Sequence, residues 1–292
     1  MTAYALETLF PREIEARLAA NPILVLPFGT IEWHSHHLPV GLDGIVGARL
    51  GREIAERADA VLAPTSYWAV GGVPFPHTLN LPIGLVEPLI ETVYAQFAGM
   101  GFKVVVGFTG HFGLEQTLAL KRAALAVMRR SEATILPLTE YDPVTDLYTG
   151  DHAGIGEASL LWAERPDLVR LDAVAASEKL EGVIGEDPRG KASLAYGEQL
   201  ATAIGERSAA TARRVLAEIG TPKRDAYLAA LAAGVEALEL TQTLRGRLPK
   251  SSVPPIATPD YLDHCAALVE GDYERAETLA RAKVESFRAL SV

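Results

Sequence analysis

The chain has 292 residues, of which 49% are hydrophobic and 22% charged, enough to bury a full core as one domain with an appended piece. Its formal net charge of -10 at pH 7 leaves no basic footprint for nucleic acid or an anionic membrane surface, so neither is expected as a partner. The one cysteine, Cys265, excludes a disulfide framework within the chain and, among apolar neighbours, reads as a buried structural thiol.

Residues 1–7 show neither a basic stretch nor an apolar leader, and no run of about 18 apolar residues occurs, which points to a cytoplasmic protein. Residues 23–29, Ile-Leu-Val-Leu-Pro-Phe-Gly, are a short apolar run ended by turn residues, the pattern of a strand buried on both faces. Helical period follows over 42–57, then a strand at 60–63, a helix over 85–100, a strand at 103–108, a helix over 114–130 and a strand at 133–138. Strands alternating with helices of this length imply βαβ units, hence an α/β fold with a mainly parallel sheet flanked by helices on both faces. In such sheets ligands gather beyond the carboxyl ends of the strands. After about Leu194 the chain becomes helical and rich in Ala, Glu and Arg, broken at Gly220-Thr221-Pro222 and by a Pro-rich stretch at 248–259. The organisation expected is a main domain over 1–220 and a helical C-terminal extension over 221–292, packed on the core or on a neighbouring subunit. Leu228, Leu231, Val235, Leu238 and Leu240 give that extension an apolar stripe near helical period.

Six of the seven histidines precede residue 153, most of them just after a predicted strand or in a Gly-rich loop. That clustering points to a site. Glu32 and His34 follow the first strand, and their spacing in an extended chain turns both side chains the same way, so that each can serve one of two adjacent metals. Carboxylate and imidazole suit Zn²⁺, Mn²⁺ or Fe²⁺. Asp43 arrives at the start of the next helix, where a carboxylate can bridge two cations. His111 stands in a second strand–turn–helix junction, and Glu157 in the first turn of a helix behind the glycines of 150–156.

Pro27-Phe28-Gly29-Thr30-Ile31-Glu32-Trp33-His34-Ser35-His36-His37-Leu38-Pro39 resembles the signature of the creatininase (creatinine amidohydrolase) family. Phe75-Pro76-His77-Thr78, Gly110-His111-Phe112-Gly113 and Asp151-His152-Ala153-Gly154-Ile155-Gly156-Glu157-Ala158-Ser159 resemble its further motifs, in the same order, so that the likeness runs from about residue 5 to 220. The resemblance implies a sheet flanked by helices, a dinuclear Zn or Mn centre (Fe as a further option), hydrolysis of C–N bonds and a homo-oligomer, usually a hexamer. It carries metal binding onto Glu32, His34, Asp43 and His111. The family's Glu two residues after the turn histidine is Gly113 here, so Glu157 is the expected fifth ligand and Glu115 the weaker candidate. Thr109 and Leu114 stand where Asn is frequent, Ser35 and His36 replace Gly and Pro, and His77 replaces a Gly of the substrate loop, which makes creatinine itself a doubtful substrate.

Hydrolysis also needs a proton shuttle. His152 is the candidate, with Asp151 fixing its tautomer. His37 is expected to orient Glu32 or Asp43, His36, His77 and Phe112 to touch a small-molecule substrate, and Trp33 and Trp68 to wall the pocket. His264, in the extension, reads as a surface or interface residue. Two rival readings keep the same residues: hydrolysis or opening of a carbohydrate-like ring, and a degenerate ligand-binding protein.

Overall fold

The structure, a computed structural model, describes residues 4–244 and 258–289. Five strands form one parallel sheet: β1 (Tyr4–Ala5), β2 (Ile23–Phe28), β3 (Val61–Leu62), β4 (Val104–Thr109) and β5 (Thr134–Thr139), in the order β1-β3-β2-β4-β5. Every residue of β2, β4 and β5 is buried, as unalternating apolar strands require. Beyond those expected from the pattern there is the two-residue edge strand β1, too short to carry a period of its own.

Helix α1 (Pro11–Ala20) leads into β2, and α2 (Leu42–Ala58) into β3. The crossovers through α3 (Ile83–Met100) and α4 (Leu114–Met128) step across the sheet in the opposite sense to the one through α2. Right-handed connections therefore put α3 and α4 on one face and α2 on the other, where it packs on α5 (Ile155–Glu164) and α6 (Leu194–Glu218).

Register levels the ends of the central strands: Phe28 pairs with Thr109, and Thr109 with Thr139. Whatever follows them converges at one edge of the sheet. The start of α2 is pressed against that edge, because neither turn carries a side chain. A Cβ on Gly29 would lie 2.2 Å from Gly44 Cα, and one on Gly110 would lie 2.3 Å from Asp43 O.

The extension consists of α7 (Pro222–Leu244), α8 (Pro259–Glu270) and α9 (Tyr273–Ala289), while residues 248–257 of the Pro-rich stretch lie outside the described residues. Helix α7 packs on α4 and α9 of its own chain, burying Leu231, Val235 and Leu238. Arg224 Nη2 donates to the carbonyls of Met128, Ser131 and Ala133, and the Tyr227 hydroxyl to Ile135 O, which fastens the helix beside β5. Cys265 is buried and free, as its apolar surroundings foretold. His264 is not a surface residue: it is 1% exposed, and its Nδ1 bonds Ala276 O at 2.8 Å, joining α8 to α9. Among the described residues no helix is long and apolar enough to cross a membrane.

Candidate metal centre

The loop after β2 supplies Glu32 and His34, the first turn of α2 supplies Asp43, the turn after β4 supplies His111, and the first turn of α5 supplies Glu157; all five are buried. Asp43 stands at the middle. Its Oδ1 is 2.9 Å from His34 Nε2, and its Oδ2 is 3.2 Å from His111 Nδ1. Glu32 Oε2 lies 2.9 Å from the same His111 nitrogen, and Glu157 Oε2 lies 3.5 Å from His34 Nε2.

Backbone carbonyls set both tautomers. His34 Nδ1 bonds Glu32 O at 3.0 Å and His111 Nε2 bonds Val70 O at 3.0 Å, so the nitrogen of each ring that faces Asp43 is left as a lone pair in the neutral imidazole. Val70 is itself held by Gln116, which accepts from Val70 N at 2.8 Å. Thr109 closes the His111 turn by donating from Oγ1 to His111 O and accepting from His111 N. Glu32 and Glu157 are steered likewise, accepting from Val73 N and Ala153 N, each at 2.6 Å.

Divalent cations fit this donor set. His34 Nε2 and both carboxylate oxygens of Asp43 are buried without a hydrogen-bond partner, a costly arrangement unless a ligand completes it. Two three-residue donor groups share Asp43, one with Glu32 and His111, the other with His34 and Glu157, and a third joins Glu32, His34 and His152. Burial works against charge on Asp43, but the His34 and His111 imidazoles outweigh it and hold the carboxyl below the usual range. Burial likewise opposes protonation of His34 and His111, and the neighbouring Asp43 and Glu32 overcome it in both. Burial pushes Glu157 well above the ordinary carboxyl value, reinforced by the negative Asp43, Asp151 and Glu140. Two protonated imidazoles bring two positive charges against the carboxylates of Glu32, Asp43 and Glu157, whereas two divalent cations would bring four and leave the rings as ligands.

Several expected roles fall differently. Asp151 does not touch His152: its carboxylate accepts from the Tyr148 hydroxyl and from Gly156 N and Glu157 N in the first turn of α5, where helix amides outcompete a side chain. His152 is instead oriented by Trp33 O, 2.8 Å from its Nε2, and burial lowers its pKa to about 4, so the ring is neutral near pH 7. His37 reaches neither Glu32 nor Asp43; its Nε2 bonds Ala153 O at 3.0 Å and ties the first loop to the third motif.

A cavity of about 450 Å³ opens beside the donors, with Glu32, His111, Asp151, His152 and Glu157 in its wall. Phe112 lines it, whereas His36 and His77 do not. Both are exposed, His36 edge-on to Trp33 and His77 in a left-handed turn at φ 66°. Trp33 stacks on Phe75, and Trp68 stands 55% exposed outside the lining. The Gly71–Gly72 loop and Asn80, which flank the Phe75–Thr78 motif, and Ile184, more distant in sequence, take those places.

Sequence reasoning also missed Glu140. It is fully buried with neither oxygen hydrogen-bonded, and burial together with Asp43 and Asp151 raises its pKa well above the ordinary value. It follows β5 directly, so the strand-end rule that singled out Glu32 and His111 reaches it too, but no neighbouring histidine marks it.

The creatininase (creatinine amidohydrolase) family model matches residues 7–220. The chain belongs to the creatininase family. Creatinine amidohydrolase from Pseudomonas putida is 28% identical over 190 residues, covering 56% of this chain and 72% of that protein. The mycofactocin precursor peptide peptidase of Mycolicibacterium smegmatis is 29% identical over 161 residues, covering 52% of this chain and only 61% of the peptidase. The solved structure "Creatininase Mn" superimposes with a TM-score of 0.57 at 22% identity, over 75% of this chain and 99% of the other, and so shares the fold. Helices α7 to α9 lie beyond the family match.

Proposed function

We propose that this creatininase-family hydrolase cleaves a C–N bond, an amide or cyclic amide, in a small molecule at a dinuclear centre. Glu32, Asp43 and His111 would hold one divalent ion and His34, Asp43 and Glu157 the other, with Zn or Mn the fitting metals for such donors. The observation that carries the reading is Asp43, whose two unpartnered oxygens face two different imidazoles and which belongs to both donor groups. Ions there would polarise the scissile carbonyl and make water acidic enough to attack near neutral pH.

The chain's own residues supply the rest. Trp33 O holds His152 Nε2–H, leaving Nδ1 as the basic nitrogen, and burial keeps the ring neutral near pH 7, with that nitrogen unprotonated. His152 Nδ1 accepts the proton released in the attack and returns it to the departing nitrogen. Asp151 anchors the turn that presents His152 and Glu157, and His37 braces that turn through Ala153.

Elemental analysis of the purified protein, paired with a hydrolysis panel of cyclic amides, N-acyl amines and carbohydrate lactones, tests the reading. About two divalent ions per chain and amide cleavage are expected. Far less than one ion per chain would mark a degenerate ligand-binding protein, and cleavage confined to the carbohydrate probes would move the chemistry away from C–N bonds.

A further inference from the structure

Glu115, the alternative fifth ligand, belongs to none of the donor groups, yet it lines the same cavity. It is exposed in the first turn of α4, and its carboxylate faces the opposite wall, where a Cβ on Gly71 would lie 3.6 Å from Oε2. Gly71 has no side chain to occupy that space. Among the described residues its polar partner is the Gln242 side-chain amide, which donates to Oε1 at 3.5 Å, the long end of a hydrogen bond. Gln242 sits near the end of α7, in the extension beyond the family match.

The lining contains no lysine or arginine among the described residues. Its other acids are committed: Glu32 and Glu157 belong to donor groups, and Asp151 accepts from Tyr148 and from two backbone amides of α5. Glu115 is therefore the carboxylate of this wall whose charge nothing described neutralises. A cavity of about 450 Å³ suits a small molecule whose far end reaches it.

We propose that Glu115 recognises a cationic group, an ammonium or guanidinium, at the end of the substrate remote from the scissile bond, with Gln242 positioning the carboxylate. The inference rests on reading the cavity as the substrate site of the hydrolase. It makes the C-terminal extension part of substrate selection, and it narrows the substrate class to small amides that carry a positive charge.

The test measures binding of three cyclic amides to metal-loaded protein by calorimetry: 5-amino-ε-caprolactam, whose ammonium lies across the ring from the amide, neutral ε-caprolactam, and 5-carboxy-ε-caprolactam, whose carboxylate takes the same place. Wild-type protein should prefer the ammonium probe over the neutral one by about fivefold, as fits an ion pair open to solvent. Glu115→Gln should abolish the preference, Glu115→Lys should shift it to the carboxylate probe, and Gln242→Ala should reduce it, all with metal content unchanged. The same ratio in wild type and Glu115→Gln, or no preference in wild type, overturns the proposal. Loss of an ion in Glu115→Gln would overturn it differently, by making Glu115 a ligand. Metal content separates the two levels: a wild-type protein without bound ions refutes the hydrolase reading, whereas a loaded one indifferent to probe charge refutes only the cation recognition.

Discussion

Replacing Asp43 by asparagine keeps the shape of the side chain and removes the charge that both donor groups share. The residue is 1% exposed, with its oxygens 2.9 Å from His34 Nε2 and 3.2 Å from His111 Nδ1. An amide in its place can donate to one ring and leave the fold intact, but it offers no anion to either cation, so both ions should be lost. His34→Ala, which belongs to only one of the two groups containing Asp43, should weaken mainly one. An ion present at 100 times its dissociation constant adds about 2.7 kcal/mol of stability, so two add about 5 kcal/mol. An unfolding entropy of about 2.1 cal/mol/K per residue over 292 residues gives about 0.6 kcal/mol per degree, so chelation should lower the wild-type Tm by about 9 °C. Asp43→Asn should melt at the same temperature with and without chelator. Elemental analysis after gel filtration and paired thermal scans make the measurement, and two tightly held ions in Asp43→Asn would refute the shared-ligand assignment.

Glu157→Gln should release the ion shared with His34, retain the one at His111 and lower turnover by several orders of magnitude; normal turnover with two ions still bound would remove Glu157 from the site. His264, whose pKa burial lowers to about 4 from 6.5, should make the protein acid-sensitive. The unfolded chain takes up that proton first, so stability is full above about pH 6.5 and falls as the pH drops toward 4, by about 2 kcal/mol at pH 5 relative to pH 7. Urea melts at the two pH values should show this slope in the wild type and a shallower one in His264→Gln, and identical slopes would refute it.

The α/β class and the three long strands were legible because each strand is a closed apolar run whose burial needs only its own residues. The gathering of Glu32, His34, Asp43, His111 and Glu157 was legible for a related reason: strand ends in a parallel sheet meet at one edge, so strand–turn–helix junctions read along the chain become neighbours in space. What escaped the sequence depends on partners more than a hundred residues away. His152 answers to Trp33 O, and His37 to Ala153 O, and nothing local in either segment announces the other. Asp151 is a local exception, its carboxylate taken up by the free amides in the first turn of α5. Local pattern thus determined the elements and the kinds of side chain at their ends. Only the folded chain decided which atom faces which, because hydrogen bonds and ion pairs of a few ångströms are set by how distant loops pack, and the hydrophobic period that reveals the elements carries no record of that packing.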